Sequence, residues 1–221
     1  MMLRNHSAAT YEIGREITEI SNSSPNYPVE LGNYFAARSP KLWCIGDQTI
    51  LKKELLGVVS ARMSDPDLAM KASTLLSDSG ASEGAFISGW HSPLEKEALH
   101  VLLTQPAKIV FCTAKSLTSI SPSPEIKDLI ARGGALLLTH CGPKAKRISR
   151  DASLRRNELV LGLSRTLLVL SAPEDSSSFK LAVRALGTGR RVFVIEHPMN
   201  RDLLNSGALP ASVETLGKFF L

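Results

Sequence analysis

Little in this sequence names a chemistry outright. Its three cysteines, Cys44, Cys112 and Cys141, lie far apart without a CxxC pair. An odd, scattered set fits neither a disulfide framework nor a zinc site, and three small buried hydrophobes is the plainer reading. Lys, Asp, Glu or Pro interrupts every apolar run within about ten positions, far short of the roughly 20 residues needed to span a bilayer. No membrane association is expected. Met1–Thr10 lacks the apolar core, about 7–15 residues long, of a secretory signal, so a cytoplasmic protein is expected. The histidines at positions 6, 91, 100, 140 and 197 show no HExxH or other ligand spacing, and no metal is expected. GxSxG, Walker A and GxGxxG are all missing, which disfavours an orthodox NTPase or dinucleotide dehydrogenase. No catalytic constellation emerges, and Glu95 and Glu97, two apart, fall on different faces of any helix.

What is present is ordinary globular material. The 221 residues are 43% hydrophobic and 21% charged, enough for one large domain or a domain with small attachments. The net charge is +5, which favours a polyanionic partner wherever it is focused on one surface. Lys144, Lys146, Arg147, Arg150, Arg155 and Arg156 form a basic cluster that contains a single acid, Asp151. A solvated loop running into a helix is the bland account of it.

Residues 1–26 are polar and end in the joint Ser21-Asn22-Ser23-Ser24-Pro25-Asn26, so the main domain is expected over 27–221, after a flexible extension. Beyond it, short aliphatic runs alternate with segments of helical spacing, the pattern of a parallel sheet covered on both faces. Strands are predicted at Leu56–Ser60, Ala85–Ser88, Lys108–Thr113, Ala135–Thr139, Thr166–Ser171 and Arg191–Ile195. Helices are predicted at Pro66–Ser77, Pro93–Leu103, Pro124–Ala131, Ser153–Leu163 and Ser177–Leu186. Asp65-Pro66 and Ser92-Pro93 read as a cap followed by proline at the first helical position, while Gly80, Gly133 and Gly189 fall just past helix ends. The fold class is therefore α/β, a mostly parallel open sheet with helices on both faces. Right-handed crossovers gather the loops at the carboxyl ends of the strands on one edge, where ligands bind.

Several loops on that edge could hold an anion. Ser60-Ala61-Arg62 puts small residues and a guanidinium at a strand-to-helix turn, a place for a phosphate or simply a tight packing corner. In Ser88-Gly89-Trp90-His91, Gly89 permits close backbone approach, and Trp90 either stacks on a base or packs against the sheet. Arg155 and Arg156, read as lying near a helix start, oppose the macrodipole unless an anion is nearby. Asn157 either bonds a base or braces a loop. Ser176 and Ser177 either cap a helix or touch a ligand.

Taken in order, these segments resemble the DprA/Smf family of DNA-processing proteins, over about Tyr27 to Pro210. Tyr27-Pro28 and Pro40 to Asp47 are similar to the family's lead-in, and Val58-Val59-Ser60-Ala61-Arg62 stands where the family has a valine-rich strand ending in Gly-Ser-Arg. Phe86-Ile87-Ser88-Gly89 matches the second strand. Farther on, Glu95 replaces the family's aspartate and Leu99 its histidine. Arg156-Asn157 with Gly162-Leu163-Ser164 resembles the family's Arg-Asn-Arg-Ile-Ile-Ala-Gly-Leu-Ser, and Ser176-Ser177-Ser178 stands for its Ser-Gly-Ser. Gly189 to Val194 and Asn200 to Ala208 are similar to its closing segments.

The resemblance implies an extended Rossmann-like domain in a divergent, truncated member without the C-terminal winged helix that many relatives carry. It implies a non-enzymatic, cofactor-free protein of DNA recombination that binds single-stranded DNA. A RecA-type recombinase and a second copy of the chain are the further partners it implies. The phosphate-contacting set is then Ser60, Ala61, Arg62, Ser88, Gly89, Trp90, Lys144, Lys146, Arg147, Arg155, Arg156, Asn157, Ser176 and Ser177. Two alternatives stand beside it. One is a nucleotide-binding sensor or scaffold. The other is a phosphoribohydrolase of the LOG type, from the same superfamily, although Ala172 to Lys180 lacks that enzyme's glycine-rich loop.

Overall fold

The computed structural model describes residues 16–63, 65–78 and 84–220. In chain order its regular elements are β1 (Thr18–Ile20), α1 (Val29–Phe35), β2 (Leu42–Gly46), β3 (Leu55–Val59), α2 (Pro66–Asp78), β4 (Ala85–Ser88), α3 (Pro93–Leu103), β5 (Lys108–Thr113) and α4 (Pro124–Ala131). They continue with β6 (Ala135–Thr139), α5 (Arg150–Leu163), β7 (Thr166–Val169), α6 (Ser177–Gly187), β8 (Arg191–Val194), α7 (Arg201–Asn205), β9 (Leu209–Pro210) and α8 (Val213–Phe220).

One sheet runs through the fold in the order β1-β2-β6-β5-β4-β3-β7-β8-β9. The strands from β3 to β9 are mutually parallel, β2 is antiparallel to β6, and β1 is antiparallel to β2. Alternation along each strand divides the core between the two faces. Leu55, Val59, Ile87, Val110, Leu138 and Val169 pack under α1, α5, α6 and α7, whereas Leu56, Val58, Phe86, Ile109, Leu137 and Leu168 pack under α2, α3, α4 and α8. Both faces are covered, which is why these strands read as continuous apolar runs.

Local signals set the helix ends. Asp65 Oδ1 accepts the Asp67 N–H at 2.8 Å, and Ser92 Oγ accepts the Glu95 N–H at 3.2 Å. Gly133 (φ 67°) and Gly189 (φ 75°) adopt the left-handed conformation that helix stops require. Gly80 lies outside the described residues. Two boundaries differ from expectation by three residues or more. Helix α5 begins at Arg150 because Ser149 Oγ accepts the Ala152 N–H at 3.0 Å, so Arg155 and Arg156 lie beyond the first turn and do not oppose the macrodipole there. Thr18–Ile20, N-terminal to the boundary read at Tyr27, already belongs to the sheet.

The chain steps outward from β3 to β6, then α5 packs back across β5, β4 and β3 to place β7 on the other side of β3. Close passage of α5 needs Gly57, where a Cβ would lie 2.6 Å from Ser164 Oγ and 2.5 Å from Leu167 Cδ2. The strand order reverses between the parallel neighbours β3 and β7, and the crevice outside the carboxyl ends at such a point is where open α/β sheets take ligands.

Candidate functional site

At that edge the first three donors met are already bonded, and their acceptor is a side chain. Glu95, on the first turn of α3 and 2% exposed, accepts the Ser60 N–H with Oε1 at 3.1 Å. Its Oε2 accepts the N–H groups of His91 (2.9 Å) and Ser92 (3.2 Å) and lies 2.9 Å from His91 Nδ1. Burial alone would raise the pKa of this group, but the His91 ring and the backbone donors of His91 and Ser92 outweigh it and hold the carboxyl below the usual glutamate range.

A carboxylate only accepts, so His91 Nδ1 carries a proton and Nε2 is the ring nitrogen that remains. That nitrogen faces Arg156 Nη2 at 3.3 Å. Arg156 is itself buried, at 5% exposure, and its Nε donates to Asn157 Oδ1 at 2.9 Å. The guanidinium lies against Gly89, where a Cβ would stand 1.7 Å from Nη1. Gly89 is thus required for close approach, and the group that approaches is the chain's own Arg156. Asn157 Oδ1 thus holds the neighbouring Arg156 on the same helix.

Trp90 cannot serve as a stacking platform for a base. It is buried, its indole N–H donates to Val110 O at 3.0 Å, and its ring lies 6.3 Å from that of Phe111. A φ of 51° turns it inward, with its N–H on Ser88 Oγ at 3.3 Å. Ser60 and Ser88 are buried, and Ala61 N–H donates to Ser171 O at 2.7 Å. Ser176 Oγ accepts the Phe179 N–H at 3.0 Å and so caps α6, at whose start Ser177 is exposed.

The remaining cations are arranged differently. Arg62, Lys144, Lys146, Arg147, Arg150 and Arg155 are exposed, and among the described residues none pairs with an acid. The loop from β6 to α5 that carries Lys144, Lys146 and Arg147 is fixed to the loop after β5: Ser116 N–H donates to Ala145 O at 2.7 Å and Thr118 Oγ1 to Pro143 O at 3.4 Å. Beneath it lies His140, whose pKa is pulled down to about 4 by burial and by the charges of Arg155 and Arg156. Among the described residues its Nδ1 is buried without a hydrogen-bond partner. On the far side of the crevice, the loop after β7 is held by Asn200, which accepts the Ala172 N–H at 2.8 Å and donates to Leu170 O and Ile195 O. Among the described residues no group of three His, Cys, Asp or Glu side chains is placed to hold a metal ion.

The structure therefore separates a network in which buried Ser60, Glu95 and Arg156 join half-buried Gly89 and Asn157 and the exposed His91 from an exposed cationic rim. Such a rim can hold a chain of phosphates. The family model for DNA recombination-mediator protein A matches residues 18–210. The chain belongs to this family.

Among solved structures, DNA processing protein A (DprA) of Streptococcus pneumoniae is similar with a TM-score of 0.78 and 23% identity, over 90% of this chain and 73% of that one. The Helicobacter pylori DprA, described for its mode of single-stranded DNA binding, aligns at TM-score 0.73 and 22% identity over 93% of this chain and 94% of that one. A molybdenum cofactor binding protein of Rippkaea orientalis shares the fold more distantly, at TM-score 0.53 and 14% identity over 76% and 94% of the two chains. No curated protein gives a sequence match. At these identities the structural likenesses show the fold, and membership of the recombination-mediator family rests on the family model.

The roles of Glu95 and His91 were missed in sequence. The capping-box spacing Ser92-x-x-Glu95 was a signal for one of them.

Proposed function

We propose that this recombination-mediator family member binds single-stranded DNA along the carboxyl edge of its sheet and catalyses no reaction on it. The observation that carries this reading is the rim of Arg62, Lys144, Lys146, Arg147, Arg150 and Arg155, exposed and without acidic partners among the described residues. A Helicobacter pylori protein of the same fold is described as binding single-stranded DNA, which favours that ligand over other polyanions. Backbone phosphates would lie on the rim and release counterions, so affinity falls steeply as salt rises. Engagement of all six cations would give a slope of log K against log salt of about −4. Fluorescence anisotropy with a poly-dT oligonucleotide between 50 and 200 mM salt tests it, and a flat response overturns it.

The reading extends to a RecA-type recombinase and to a second copy of the chain as partners, the first tested by co-sedimentation with the recombinase and the second by sedimentation velocity. A LOG-type hydrolysis is disfavoured by the loop after β7, where Glu174 and Asp175 are exposed and Ser176 is committed to capping. Incubation with adenosine 5′-monophosphate is expected to release no adenine.

A further inference from the structure

We propose that Glu95 is an internal anion that closes the crevice to phosphate and so selects the ligand class: phosphodiesters held on the rim, with the terminal phosphate of a nucleoside monophosphate refused. The inference deepens the DNA-binding reading and rests on it for the class of ligand accepted.

Three backbone N–H groups from two separate loops, Ser60 after β3 and His91 and Ser92 ahead of α3, converge on one carboxylate. Strand-end and helix-start amides at the carboxyl edge of the sheet, here those of the neighbouring strands β3 and β4, are the donors that meet a phosphate when an α/β fold binds a nucleotide. Here every one of them already has an anionic acceptor. The fourth donor, His91 Nδ1, lies at 2.9 Å, so both carboxylate oxygens are occupied.

The occupant is tethered from both ends. Its own backbone N–H is bonded to Ser92 Oγ, completing a reciprocal capping box, and its partner His91 is held by Arg156 from the opposite side. A phosphate entering the crevice would have to expel a buried carboxylate, break the cap and leave Arg156 and His91 without their arrangement. The exposed rim cations face no such competitor. A phosphodiester there contributes one charge per nucleotide at the surface and never needs the buried amides. Glu95 thus decides between a polymer lying across the edge and a mononucleotide held within it.

The test uses inorganic phosphate and adenosine 5′-monophosphate as probes, at constant ionic strength against chloride, on the wild-type chain and on Glu95→Ala. The wild-type thermal midpoint is expected to stay unchanged with either probe, and millimolar adenosine 5′-monophosphate is expected to leave its oligo-dT affinity unchanged. In Glu95→Ala the vacated amides accept phosphate, and the midpoint rises saturably, on the order of 5 °C at a hundredfold excess over Kd. A variant unfolded in chloride that folds in phosphate counts equally in favour. A saturable shift in the wild type overturns the proposal, and so does a variant that gains nothing from phosphate. Failure of the wild type to bind oligo-dT would sink the DNA-binding reading separately, since the phosphate measurements do not depend on it.

Discussion

Two neighbouring arginines, Arg155 and Arg156, have opposite tasks, and their substitutions should separate cleanly. Arg155 is exposed, whereas Arg156 is buried between Gly89, His91 and Asn157. Arg155→Ala is expected to weaken oligo-dT binding with an unchanged thermal midpoint. Arg156→Ala should destabilise the fold by about 1–3 kcal/mol, because it removes a buried side chain together with its bonds to half-buried Asn157 and exposed His91; urea unfolding measures it. Gly89→Ala belongs with the second case: the added methyl displaces the guanidinium, at a cost of about 1–3 kcal/mol.

The pH response follows from two residues whose pKa values are both lowered in the fold. His140 falls from 6.5 to about 4, so the unfolded chain takes the proton first. Its contribution is present above pH 6.5 and is lost as pH falls toward 4. The Glu95 contribution is present above the ordinary glutamate value of about 4.3 and is lost below it, as pH passes through the lower folded value. Urea midpoints across pH 3 to 8 should show both phases in the wild type, roughly in those windows. His140→Gln should remove the upper phase and Glu95→Gln the lower.

Among the elements, α5 carries the most functional weight. Its N-terminal half follows the cationic loop, while Leu159, Val160, Leu161 and Leu163 are buried in the core. Loss of its cap in Ser149→Ala should cost about 1 kcal/mol and fray the turn bearing Arg150, seen as faster amide exchange in the first turn. The central strands β3 to β7 were legible because burial on both faces leaves unbroken aliphatic runs such as Ala135–Thr139. Strand β1 was not legible: it is three residues long, Thr18 and Glu19 are exposed, and only pairing with β2 makes it a strand. The start of α5 was placed three residues late because Arg150, Asp151 and Ala152 give no apolar periodicity, and Ser149 reveals its role only through its bond to Ala152.

For the molecule as a whole, the parallel run of β3, β4, β5 and β6 places the cationic loop and Arg62 on one edge although about 80 residues separate them in sequence. Replacing Lys144, Lys146 and Arg147 together by alanine should reduce the salt slope by about 2 and leave the unfolding midpoint in place, since none of the three has a buried partner. Anisotropy and thermal melts on the same preparation check both halves of that expectation. The exposed cations of the expected set lie on the surface, as their charge alone would suggest, and among the described residues no acid pairs them. The places of Trp90 and Arg156 were not legible, because the same residue types serve a core or a surface equally well.

Sequence by itself determined the α/β alternation, most element positions and the concentration of positive charge, because periodicity, capping and composition are local quantities. Only the tertiary structure decided which anion sits at the ends of β3 and α3. That depends on two loops about 30 residues apart closing on Glu95, and on Arg156 arriving from a different helix to hold His91. Burial and partner geometry are properties of the assembled fold, and they turned a presumed phosphate cradle into a closed network with a cationic rim beside it.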